Sequence, residues 1–247
     1  FWRSSLFNEV YLKNDLKNKY KDVWDFDEAG PFYDFLNSFK NLCVDLEDDD
    51  FHTWSETETI NNWIKPIMKY LGWEPRNNVT MEEVSFTVPE NGKKKTYRAD
   101  ILYVADPKVK KIIKDEKDQE KRRLQGKKHI DMPVEAKYWD RLEQYRQGKK
   151  ETSKKLAGRK KKDDDNSLSP EEQTLKYMEI LEKDYGILTD GKTWKLLHLR
   201  ASNDSMQRCF EFDLGDLMEF YLGNTPDNIK HPILEEAAKY FYFFFSM

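Results

Sequence analysis

At 247 residues the chain can bury a sizeable core, and one main domain is its simplest organisation. Charged residues reach 36% against 38% apolar, but 14% aromatic residues exclude a disordered chain and mark a globular one with a heavily solvated surface. A net charge of -4 argues against a uniformly basic nucleic-acid binder, although 25 Lys and Arg against 11 Asp and Glu fall between positions 91 and 162, a surplus of about +14 that leaves the remainder near -18.

Residues 1–50 read as an N-terminal helical extension, closed by an acidic break at 45–50. Ser55-Glu56-Thr57-Glu58 then starts a helix, with Ser55 as cap and Glu58 placed to complete a capping box. Ile60, Trp63, Ile64, Ile67, Met68 and Leu71 repeat at helical spacing up to Gly72, with Pro66 inside the run. Alternation over 84–88 and the aromatic and β-branched residues of 96–104 predict two strands around an Asn91-Gly92 hairpin turn. A charged insertion, helical or mobile, spans 107–129; a short strand covers 133–139, and a charged low-complexity loop 148–166.

Ser169-Pro170-Glu171-Glu172 opens a second capped helix, expected to reach position 184. Segments 185–189 and 193–199 follow as strands around an Asp190-Gly191 turn. Further helices are expected over 201–247, ending in the run Phe241-Tyr242-Phe243-Phe244-Phe245, which as a free end would form an exposed apolar patch. With Phe1 as the opening residue, this reads as a fragment of a longer parent chain.

Cys43 and Cys209 lie far apart without a CxxC pair, as expected of reduced thiols in a cytoplasmic protein. No leader pattern opens the chain and no apolar run is long enough to span a bilayer, so no membrane association is expected. His52, His129, His198 and His231 show no ligand spacing. Residues 186–193 formally satisfy GxxxxGK[ST], but that phosphate loop must open a helix, whereas Trp194, Leu196 and His198 alternate as a strand.

The chemistry concentrates elsewhere. Hydrolysis of a phosphodiester needs a divalent cation held by carboxylates and a cationic group beside the attacking water. In Pro133-Val134-Glu135-Ala136-Lys137-Tyr138-Trp139 the period of two puts Glu135 and Lys137 on one face. Asp100 stands in the otherwise apolar strand Ala99-Asp100-Ile101-Leu102-Tyr103. Read singly, the first two are a solvent-facing pair on an edge strand and Asp100 belongs to a turn or a buried hydrogen bond; read together, between two capped helices, they form a constellation.

Asp100 followed by Glu135-Ala136-Lys137 resembles the PD-(D/E)xK signature of restriction-endonuclease-like nucleases, with Ala99 in place of the proline. Gln173-Thr174-Leu175-Lys176-Tyr177 is similar to the QxxxY motif of type I restriction motor subunits, and spacing of four puts Gln173 and Tyr177 on one helix face. Ser55-Glu56 leading into Leu71-Gly72-Trp73 resembles the opening helix of that group, and Tyr185 to Trp194 resembles its strand pair in type I and type IIG enzymes.

The resemblance covers 51–200 and implies an α/β restriction-endonuclease-like core of helix, three strands, helix and two strands, with helical extensions at 1–50 and 201–247. It implies a metal-dependent endonuclease acting on double-stranded DNA, with Mg2+ or Mn2+ held by Asp100, Glu135 and the Ala136 carbonyl, and by Glu56 directly or through water. It further implies that Lys137 orients or deprotonates water and contacts DNA, and that Gln173 and Tyr177 position the lysine or the DNA backbone. A methyltransferase or translocase in the missing part of a restriction or phage-defence protein would supply sequence recognition. Two rivals stay open: a catalytically silent DNA-binding or scaffolding module of the same fold, and a nuclease for RNA or a particular nucleic-acid structure.

Overall fold

In chain order the elements are β1 (Trp2–Ser4), α1 (Leu16–Lys19), α2 (Lys21–Trp24), α3 (Pro31–Asp45), α4 (Glu56–Thr59), α5 (Lys65–Tyr70), β2 (Val79–Glu90), β3 (Lys93–Val104), α6 (Pro107–Asp115) and α7 (Gln119–His129). They continue with β4 (Ile130–Ala136), α8 (Arg141–Arg146), α9 (Pro170–Leu181), β5 (Tyr185–Thr189), β6 (Thr193–His198), β7 (Cys209–Asp213), α10 (Leu214–Tyr221) and α11 (His231–Phe245). This computed structural model describes residues 1–24, 30–73, 79–90, 92–104, 107–146, 168–201, 209–223 and 231–246. The low-complexity stretch expected at 148–166 lies outside them.

The strands form one seven-stranded mixed sheet in the order β1-β7-β6-β5-β4-β3-β2, in which β4 and β5 run parallel and the other neighbours antiparallel. The α/β class expected from the sequence is thereby shown. Alternation along the central strands divides the core into layers. Val134, Ala136 and Ile187 face a large cluster with Phe35, Trp63, Ile67 and Phe241 from α3, the α4–α5 run and α11. On the other face Leu188 meets Met178 of α9 and Leu142 of α8, while Phe86, Tyr97 and Leu102 pack against α6, α7 and α9.

Both capping boxes form as expected, at Ser55 with Glu58 and at Ser169 with Glu172. The helix after Ser55 departs from a regular one, because Pro66 has no N–H to donate. A π turn, Ile60–Ile64, intervenes, and Lys65 N–H reaches back to the Ile60 carbonyl before α5 begins. The 107–129 insertion is the helical pair α6–α7, and the strand expected over 133–139 is shifted to Ile130–Ala136. Strands β1 and β7 were not expected at all. They pair with one another, and β7 pairs with β6, so each of the two segments read as helical extensions adds a strand to the sheet.

The aromatic run of α11 is not an exposed patch. Phe241 and Phe245 are fully buried, with their rings against Trp194 at 5.5 and 5.7 Å, and Trp73 Nε1–H donates to the Phe245 carbonyl at 2.6 Å. The sheet supplies the apolar surface that these side chains need. Among the described residues no helix is long and apolar enough to cross a membrane.

Candidate active site

Strands β3 and β4 part company where the acids stand. Their register pairs Leu102 with Pro133 and Ile101 with Val134 and goes no further, while β4 continues against β5 through Glu135 and Ala136. In the opening the Asp100 carboxylate replaces the missing ladder partner: Ala136 N–H donates to Asp100 Oδ2 at 2.8 Å. Divergence of the two strands thus frees room for side chains between β3 and the end of β4.

Glu135 is only 2% exposed, on a strand flanked by β3 and β5, so the reading of a solvent-facing pair on an edge strand is overturned. Lys137 follows directly after β4, with its backbone N–H donated to the Thr189 carbonyl at 2.8 Å. Its ammonium is ion-paired to Glu135 and lies 3.9 Å from Asp100 Oδ2 and 3.9 Å from Glu56 Oε2. Glu56 reaches it from the first turn of α4. The capping work there falls to Glu58, which accepts from Ser55 N–H at 2.7 Å.

Burial disfavours the ionised carboxylate and pushes Glu135 up to about 8, with neighbouring Asp100 adding to the rise and Lys137 opposing it. Burial also pulls on Lys137, but Glu135, Asp100 and Glu56 outweigh it and hold the ammonium above its ordinary range. Among the described residues Glu135 Oε2 is buried without a hydrogen-bond partner. Such an orphan is costly unless something binds it.

The sign of its effect on stability follows from the raised value. Glu135 contributes stability that is fully present below its ordinary value near 4.5 and is lost as pH rises through about 8. Thermal unfolding of the metal-free chain should therefore show a melting temperature that declines across this window. Asp190, pushed up to about 7 by burial, acts in the same direction, so the parent must be compared with Glu135→Gln. Equal slopes in the two proteins would refute the assignment.

Tyr177 comes from α9 to the same place. Its hydroxyl donates to the Arg98 carbonyl at 2.7 Å, and burial together with Glu135 and Asp100 raises its pKa, so it stays a neutral donor. Gln173 is placed otherwise: its Nε2 donates to the Leu168 carbonyl at 2.9 Å, and among the described residues no hydrogen bond joins it to Lys137. Residues Asp100, Glu135, Lys137, Glu56 and Tyr177 are thus brought together, whereas Gln173 braces the start of its own helix. Residues 186–193 form the β5–β6 hairpin and its turn, with no helix following.

Among the described residues no group of three or more His, Cys, Asp and Glu is gathered around a common point as for a metal ion. The three carboxylates converge on the Lys137 ammonium instead. Their chemistry nonetheless fits a hard divalent cation: all the ligating atoms are oxygens, three carboxyl groups face one ammonium, and among the described residues Glu135 Oε2 has no hydrogen-bond partner.

Sequence reasoning missed the residues that brace the site from β5 and its turn, Thr189 and Asp190. The Asp190-Gly191 pair was legible as a turn, but nothing local marks which distant groups a turn will bind. Searches of protein-family models, curated proteins and solved structures found no match to this chain.

Proposed function

We propose that the chain is a metal-dependent endodeoxyribonuclease domain with a restriction-endonuclease-like core, hydrolysing phosphodiesters of double-stranded DNA in the cytoplasm as the nuclease module of a restriction or phage-defence protein. The observation that carries this reading is the convergence of Asp100, Glu135 and Glu56 on Lys137, with Glu135 Oε2 buried and unpartnered. A buried carboxyl group with an unpartnered oxygen is costly to a fold and needs a compensating role.

Asp100, Glu135 and the Ala136 carbonyl, with Glu56 directly or through water, would hold Mg2+ or Mn2+. The bound cation supplies charge neutralisation at the phosphate and acidifies water. Lys137 donates hydrogen bonds from the ammonium to the attacking water and offsets the charge that grows on the phosphate oxygens. Burial raises the Glu135 pKa in the metal-free chain, so below about pH 8 ligation requires the release of a proton. Asp100 keeps the end of β4 in place through the Ala136 N–H, and Tyr177 fixes β3 beside it through the Arg98 carbonyl.

One observation favours the rival reading of a catalytically silent DNA-binding module: the ammonium already neutralises part of the carboxylate charge. Plasmid DNA incubated with the purified chain separates the two. Nicking or linearisation is expected in Mg2+ or Mn2+ and none in EDTA; undiminished cutting in EDTA would exclude metal dependence, and DNA binding without Mg2+ binding would favour the silent module.

Binding to duplex DNA should weaken steeply with salt, because lysines that neutralise phosphates release condensed counterions. The exposed lysines of the basic 91–162 segment include Lys93 and Lys94 where β3 begins, and Lys108, Lys111, Lys114, Lys117 and Lys121 on and between α6 and α7. The first group lies on the Asp100 side of the last β3–β4 pair, whereas α6 and α7 connect the opposite ends of those strands. Reversing Lys93 and Lys94 to glutamate should lower affinity and make the log-log salt slope shallower by about 1 for each phosphate that is no longer neutralised. An unchanged slope in a salt series would remove these two residues from the interface.

A further inference from the structure

Hydrogen bonds from three separate segments converge on the turn between β5 and β6. From the end of β4, Lys137 N–H donates to the Thr189 carbonyl at 2.8 Å. From the start of α8, Leu142 N–H donates to Asp190 Oδ2 at 2.7 Å, while Thr193 N–H donates to Oδ1 of the same carboxylate at 2.7 Å. From the α4–α5 run, Trp63 Nε1–H donates to the Gly191 carbonyl at 2.9 Å, an acceptor it shares with Trp194 Nε1–H at 3.1 Å.

Gly191 itself has little room around it. Its φ is +86°, and a Cβ there would stand 2.9 Å from Trp63 Cδ1, 3.1 Å from Trp139 Cε3 and 3.2 Å from Thr59 Cγ2. Thr59 lies one turn along the helix from Glu56, and Trp139 lies two residues beyond Lys137. The bare turn is therefore a spacer with the Glu56 helix on one side and the Lys137 segment on the other.

We infer that Asp190 and Gly191 are positioning residues of this site, setting the spacing between the helix that carries Glu56 and the strand end that carries Lys137. The inference rests on the nuclease reading for the purpose of the site, but the placement of Lys137 among the carboxylates is measurable without cleavage. Neither residue touches the reacting atoms. Each acts through the groups bonded to the turn, as outer partners do when they orient the ligands of a site.

Two mild substitutions test it in the full chain. Trp63→Phe keeps most of the buried ring and removes only the N–H given to Gly191, and Asp190→Asn keeps the shape but replaces one acceptor by a donor. Acetylation of Lys137, followed residue by residue by mass spectrometry, should quicken in both, because the ammonium is less firmly held among its carboxylates. Lys195, buried in its own ion pairs with Glu171 and Glu211, should react at the parent rate. Tyr240→Phe, which removes a buried hydrogen bond to the Leu12 carbonyl in the same core layer as Trp63 but not one to the turn, should alter neither lysine.

In cleavage assays both test variants should lose about tenfold in kcat with little change in KM. The inference is overturned if Lys137 reacts at the parent rate in both variants, if Lys137 and Lys195 quicken together, or if Tyr240→Phe has the same effect. A parent chain that leaves DNA intact while Lys137 responds as expected would sink the nuclease reading and leave the positioning role standing; a parent that cuts while Lys137 stays unresponsive would do the reverse.

Discussion

Asp100→Ala and Glu135→Ala are each expected to lower Mg2+-dependent cleavage by at least about a hundredfold, since even outer-shell losses at metal sites cost about 10- to 100-fold. Their effects on stability should differ. Asp100→Ala leaves the Ala136 N–H without its acceptor at the point where β3 and β4 separate, and an unsatisfied buried donor costs about 1–3 kcal/mol. Glu135→Ala removes a desolvated carboxyl group with an orphaned oxygen but also one partner of the Lys137 ammonium, which still faces Asp100 and Glu56, so in the absence of metal its cost should be less than that of breaking a fully buried pair. Plasmid nicking paired with denaturant unfolding measures both. Full activity in either variant, with contaminating nuclease excluded, would end the assignment of these acids to a metal centre.

Lys137→Ala is the second large effect, a loss of about 10²- to 10⁴-fold in the chemical step, the usual size of a positioned proton-transfer or water-holding group. Mg2+ affinity should stay level or rise, because a cation lying 3.9 Å from two carboxylate oxygens and paired to a third carboxylate is removed. Lys137 also holds down the Glu135 pKa, so its loss pushes that residue further up. Calorimetry above pH 8, where Glu135 is ionised in the parent, separates the two influences. Cutting at the parent rate would reduce Glu135-Ala136-Lys137 to a structural ion pair and remove the main support for a nuclease.

A good part of the architecture was legible in local signals. Ser55 with Glu58 and Ser169 with Glu172 announced both helix starts, because a capping box is complete within four residues. Asn-Gly and Asp-Gly marked the β2–β3 and β5–β6 turns for the same reason. Spacing and residue type also singled out Asp100, Glu135 and Lys137, and the family resemblance added Glu56; the fold brings the four together.

What the tertiary structure alone decided is longer in range. Cys209–Asp213 alternates, but it becomes a strand only because β6 and β1 lie on either side of it. The α11 aromatics look like an exposed patch until the sheet buries them against Trp194. The burial of Glu135 depended on which strand lies beside which, and the Leu168 carbonyl that Gln173 binds was not marked by any local signal. By itself the sequence determined where elements begin and which side chains carry chemistry, since those signals lie within a turn or a strand period. Only the folded chain decided which of those side chains meet, because each meeting joins segments far apart in sequence.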